Sequence, residues 1–113
     1  MINYDGKKFR AILNSENGEV SEDLIFEYRQ IGDLLSCHYS GTQIRKGFLL
    51  GIVSPSGVIE MTYQQVNFQN ELRTGKCIST PEVMENGRIC LHEVWEWTNG
   101  DLSSGYSLLE EIG

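Results

Sequence analysis

Apolar and polar positions alternate two by two along this chain in about eight short segments, and no stretch repeats apolar residues at helical spacing. The segments fall near residues 8–14, 24–31, 34–40, 44–53, 58–67, 72–80, 88–98 and 106–112. Between them stand clusters of Gly, Asn, Asp, Ser and Pro. Asn17-Gly18, Gly32-Asp33, Ser54-Pro55-Ser56-Gly57, Asn86-Gly87 and Asn99-Gly100-Asp101 all carry the chemistry of tight turns. In the second segment Leu24, Phe26, Tyr28 and Gln30 share one face, and Ile25, Glu27, Arg29 and Ile31 the other. Residues 19–23 are the one ambiguous stretch, open to a helical turn before that second strand.

Connections this short wire neighbouring strands as hairpins, because parallel pairing needs crossovers of a dozen residues or more. An antiparallel meander leaves two edges of unpaired N–H and C=O groups unless its first and last strands meet. Eight strands is also the number at which a closed barrel just encloses side chains or one small ligand. The fold expected is therefore all-β: a single domain over residues 1–113 forming an eight-stranded up-and-down antiparallel barrel. A two-layer sandwich is the competing architecture.

Facing follows from the most apolar face of each segment. In 88–98 the two tryptophans decide it, since burying both is worth roughly 3–6 kcal/mol by area. Ile89, Leu91, Glu93, Trp95 and Trp97 then point inward, and Arg88, Cys90, His92, Val94, Glu96 and Thr98 outward. A carboxylate between Leu91 and Trp95 is costly unless it is paired or hydrogen-bonded. Two readings of Glu93 follow: a structural bond to a neighbouring Lys, Arg or Tyr, or a ligand-facing acid whose pKa burial raises. Elsewhere Ile59, Met61 and Tyr63 bring Gln65 and Asn67 inward, Phe26 and Tyr28 bring Gln30, and Leu35 and Cys37 bring Tyr39. Taken singly, each tyrosine reads as a core residue whose hydroxyl reaches the rim. Taken together, the phenols, amides and carboxylate among aromatics match a small-molecule pocket with Tyr28, Tyr39, Tyr63, Trp95 and Trp97 as walls and Gln65 and Glu93 as polar anchors.

Gly47 and Gly51 share a face of the fourth strand. With that face inward, Phe48, Leu50 and Ile52 lie outside and join Ile78 and Val94 in an apolar outer patch, which predicts a homo-oligomer.

Composition narrows the partners. The 113 residues carry a formal charge of −7, with basic residues scattered singly or in pairs. Such a chain repels nucleic-acid phosphates and anionic lipid surfaces. No apolar run approaches the ~20 residues that span a bilayer. The first residues lack the apolar stretch of a secretory signal, and Cys37, Cys77 and Cys90 are an odd number placed within strands. Reduced thiols and a cytoplasmic location are expected. No cofactor is expected either. Cys77, Cys90 and His92 lack zinc-site spacing, no nucleophile elbow accompanies His38 or His92, and no glycine-rich loop opens a helix.

The stretches Phe9-Arg10-Ala11, 14–21, Phe26-Glu27-Tyr28-Arg29-Gln30, Tyr39-Ser40-Gly41, Thr74-Gly75-Lys76-Cys77, Ser79-Thr80-Pro81-Glu82 and 92–98 resemble a family of small bacterial proteins often labelled N-acetylglutamate synthase. The resemblance covers nearly the whole chain. It implies a barrel similar to the avidin- and lipocalin-like eight-stranded folds, and it brings no catalytic residues with it. The acetyl transfer that the label implies uses a mixed α/β domain with a pyrophosphate loop at a helix start, and these residues supply neither. Non-catalytic binding of a small molecule is the leading functional reading. An enzyme using Glu93 as general acid or base, and an interaction module with a filled core, are the alternatives.

Overall fold

The computed structural model describes residues 2–15, 18, 23–41 and 43–113. Among the described residues nine antiparallel strands form one sheet: β1 (Lys8–Asn14), β2 (Ile25–Glu27), β3 (Arg29–Ile31), β4 (Leu34–Tyr39), β5 (Ile44–Val53), β6 (Ile59–Asn67), β7 (Leu72–Val83), β8 (Ile89–Trp97) and β9 (Ser104–Ile112). Their order across the sheet is β2-β1-β9-β8-β7-β6-β5-β4-β3.

The two ends of that order are consecutive in the chain, and this is how the sheet closes. β2 pairs with β1 through Phe26 opposite Phe9, and β3 pairs with β4 through Gln30 opposite Leu35. Between them Tyr28 donates its N–H to the Lys7 carbonyl at 2.9 Å and accepts the Gly6 N–H at 2.9 Å. One extended segment thus changes partners at Tyr28 and stitches the barrel shut. The expected eight strands are observed as nine for this reason, and the barrel architecture holds.

The expected turns form where glycine or asparagine can adopt positive φ: Gly32 (63°), Gly57 (87°), Asn70 (61°), Gly87 (84°) and Gly100 (70°). Gly18 donates to the Ser15 carbonyl at 3.0 Å. Asn17, where a turn was expected, and residues 19–22, within the stretch open to a helical turn, lie outside the described residues.

One strand outruns its expected end. The seventh segment is expected to end at Thr80, before Pro81, yet β7 continues through Pro81 to Val83, with Pro81 opposite Leu91. The last β6 partner is Ile59, opposite Ser79. Beyond Ser79 the strand has a neighbour on one side only, so a residue without an N–H costs no ladder bond on the open side.

The interior divides along the barrel axis. One end is filled by Tyr4, Phe9, Leu35, Val53, Ile59 and Leu91, each 1% exposed or less. Tyr4 plugs this end: its hydroxyl donates to the Gly57 carbonyl at 2.6 Å, and its ring lies edge-on to Tyr28 at 6.1 Å. Gln30 serves the plug as well, accepting the Tyr4 N–H at 2.9 Å and donating to the Gly32 carbonyl at 2.8 Å. Cys37, Cys77 and Cys90 are free and buried. Cys90 lies on the outer face as expected, but its place between Glu82 and Glu110 on the flanking strands shields it.

Candidate functional site

The other half of the interior holds Glu93, Gln65 and most of the inward aromatic side chains. Alternation along β8 buries Glu93, Trp95 and Trp97 together, with Ile89 and Leu91 below them. The two indoles meet edge to face at 5.7 Å, and Tyr63 of β6 packs edge-on to Trp97 at 5.7 Å. Arg73 of β7 lies over the Trp97 ring, 4.0 Å from its centroid, and pairs with Asp101 at 3.3 Å. Trp95 donates its Nε1–H to the Ser107 hydroxyl at 2.8 Å, and that hydroxyl donates in turn to Asn14 Oδ1. Tyr39 donates to Gln65 Oε1 at 2.9 Å and packs against Phe26 with ring centroids 5.0 Å apart.

Three of these rings rest on glycines of the adjacent strand. Tyr39 is opposite Gly47, Tyr63 opposite Gly75, and Trp95 opposite Gly105. A Cβ at any of the three glycines would lie 2.2 or 2.3 Å from a ring atom. Lacking one, each glycine lets a large ring lie flat against the backbone instead of projecting into the lumen. This packing leaves space at the barrel's centre.

That space is a cavity of about 60 Å³ lined by Tyr28, Tyr39, Tyr63, Gln65, Glu93, Trp95 and Trp97, the seven residues singled out from the sequence. Asn14, Ser107, Met61 and Cys77 complete its wall together with Gly18, Phe26, Leu49 and Leu109. That is several times the roughly 10–15 Å³ a cavity needs to hold one water, so it has room for more than one water or for a compact organic group.

Asn14 and Ser107 are the polar lining residues the sequence reading missed. Ser107 keeps step with buried Leu109, so the alternation of β9 was a usable signal. Asn14 had none. Counting by twos from Phe9 and Ala11 places Asn14 outside, but Ile12 is an extra residue in β1: Ala11 pairs with Leu109 and Leu13 already with Leu108. The bulge moves Leu13 outward and turns Asn14 toward the lumen. Asn67, expected to face inward, is buried. Its amide closes the β6–β7 turn by accepting the Gln69 and Glu71 N–H groups at 3.0 Å each.

Glu93 is the group with unusual electrostatics. It is 9% exposed and stands opposite Ser79 on β7 and Ser107 on β9. Burial pushes its carboxyl up to about 7, and the Ser79 hydroxyl pulls it partly back. No ion pair to it is found among the described residues. The structural bond to a Lys, Arg or Tyr, one of the two sequence readings, has no counterpart among the described residues, and Ser79 and Ser107 are the polar residues opposite Glu93.

Both histidines lie on the outer surface. His92 contacts Glu82 Oε1 through Nε2 and the Tyr106 hydroxyl through Nδ1, each at 2.8 Å, and His38 packs on Phe48 at 4.7 Å. No group of three His, Cys, Asp or Glu side chains among the described residues is arranged to hold a metal ion.

A family model described as "Avidin-like protein" matches residues 2–112. The chain belongs to the avidin-like family. Comparison with curated proteins and with solved structures gives no match. In this avidin-like barrel Glu93, Gln65, Trp95 and Trp97 gather in one half of the lumen, while the other half is packed with apolar side chains and the Tyr4 plug that Gln30 holds.

Proposed function

We propose that this avidin-like barrel binds a small molecule without transforming it, with Tyr28, Tyr39, Tyr63, Trp95 and Trp97 as walls and Gln65 and Glu93 as anchors. The observation that carries the reading is the cavity beside Glu93, where a buried carboxylate and six aromatic residues share one small space. A core built only for stability gains nothing from a carboxylate there, because an apolar side chain of similar volume avoids the desolvation cost. Membership in the avidin-like family, whose barrels typically hold small ligands, supports the same reading. The test is a metabolite screen read by tryptophan fluorescence, because both indoles line the cavity. Ligands that quench or shift the emission of the wild type should do so weakly or not at all in Glu93→Gln and Trp95→Ala. Binding undiminished in both variants places the site elsewhere.

The outer face supports a second element of the proposal, assembly into homo-oligomers. Leu50, Ile52, Ile78 and Val94 are 45%, 61%, 46% and 61% exposed, and Ile78 stands directly opposite Val94. Phe48, expected in the same patch, is half-buried under His38 and contributes less. A second copy of the chain would cover these side chains. Three unpaired cysteines suit a reducing compartment, so a cytoplasmic location accompanies this reading.

A further inference from the structure

Glu93 supplies a charge that the protein leaves without a counterion among its described residues. Its neighbours come from several strands around the lumen. Ser79 and Cys77 face it from β7, Ser107 from β9, Tyr63 from β6, and Tyr28 from the junction of β2 and β3. Tyr39 and Gln65 bond to each other within the same cavity. Burial pushes the Tyr28 and Tyr63 phenols and the Cys77 thiol well up, and Cys37 to about 12. These groups are therefore neutral near pH 7, and Glu93 is the one among them that ionises there.

Resting on the reading of this cavity as a binding site, we propose that its occupant is a small organic cation: an alkylammonium ion whose charge pairs with the Glu93 carboxylate and whose alkyl groups lie against the surrounding rings. Three observations converge on this class. An ionised carboxylate buried without a partner is stabilised most by an incoming positive charge, while an anion is repelled. The faces of Trp and Tyr rings attract cations, and five such residues line the same space. Trp97 already holds one cation in this way, the Arg73 guanidinium. The cavity is compact, which suits an ammonium group carrying a few methyls.

The experiment titrates the protein with trimethylammonium chloride, followed by tryptophan fluorescence and calorimetry. Tert-butanol serves as the neutral probe of similar size, acetamide as a neutral N–H donor, and acetate as the anion. Trimethylammonium should bind most tightly of the four. It stays protonated between pH 6 and pH 8, so its pH dependence reports the protein. With Glu93 titrating at about 7, affinity should be about tenfold weaker at pH 6 than at pH 8. Near pH 6 binding should release close to one proton. Glu93→Gln should lose the cation while keeping its cooperative thermal transition, and Trp95→Phe should weaken binding severalfold. Tert-butanol, acetamide or acetate binding as tightly as the cation, or affinity flat from pH 6 to pH 8, overturns the assignment and leaves the pocket standing. No binding of any probe, alongside a hit in the metabolite screen, overturns it equally. Silence in both experiments removes the binding reading itself.

Discussion

Gly75 and Tyr63 stand directly opposite each other on β7 and β6, and a methyl group at Gly75 would meet the Tyr63 hydroxyl and ring carbon at 2.3 Å. The glycine is there for the ring: its φ lies outside the positive region, so alanine meets no backbone objection. Gly75→Ala should therefore act through Tyr63 alone, driving the ring off its seat and toward Trp97 and the cavity. The expected cost is about 1–3 kcal/mol, as for other overpacking changes, with a changed near-UV circular dichroism spectrum. Gly105→Ala should do the same to Trp95. If both variants unfold at the wild-type denaturant midpoint, the cross-strand seats do not hold the rings.

Glu93 sets a pH dependence of stability whose sign follows from its folded pKa lying above its unfolded value. Burial raises the group from 4.5 to about 7, so between those values the folded state holds a proton that the unfolded state has released. Stability contributed in this way is full below pH 4.5 and is lost as pH rises through 7. The loss amounts to about 3 kcal/mol at pH 8. Glu93→Gln should remove it, raising Tm by roughly 10 °C at pH 8 and by little at pH 4.5. Equal effects at both pH values would assign the gain to packing instead.

Ser107 joins Trp95 to Asn14 by hydrogen bonds across the wall of the cavity. Ser107→Ala leaves the Trp95 indole N–H buried with no acceptor, which costs about 1–3 kcal/mol. Urea denaturation should show the lower midpoint with an unchanged slope, and the native tryptophan emission should shift because the indole has lost its partner. An unaltered emission maximum would mean that Trp95 finds another acceptor.

Val94 and Ile52 bracket the apolar outer face, each 61% exposed. The wild type should sediment as an assembly, and Val94→Glu should sediment as a monomer with the same Tm at low concentration. A charge placed on an exposed strand face disturbs no core contact, so altered mass with intact folding reports the interface alone. A monomeric wild type would leave this face without the partner proposed for it.

Much of this protein was legible as alternation. The facing of β8 followed from the area of Trp95 and Trp97, and Glu93 had to follow them inward because strand period admits no exception within a regular ladder. The seven proposed lining residues came together because each lay on the apolar beat of its own strand. Short turns dictated hairpins, and hairpins in succession dictated a meander that had to close. The roles of the polar residues were less accessible. Gln30 and Asn67 keep the same beat as Gln65, yet one holds the Tyr4 plug and the other a turn, because only the far ends of strands bring N–H groups within their reach.

Period and turn chemistry are local, and what they specified was local as well: which residues are strand, which face they share, and where the chain reverses. The decisions left to the tertiary structure all depend on register between segments distant in sequence. The partner change at Tyr28 closes the barrel, the extra residue at Ile12 turns Asn14 inward, and the Gly47, Gly75 and Gly105 seats fall opposite Tyr39, Tyr63 and Trp95. Glu93 itself shows the division. Its alternation put it inside, but only the assembled sheet, with a serine on each flanking strand and no cation paired to it among the described residues, left its charge unanswered.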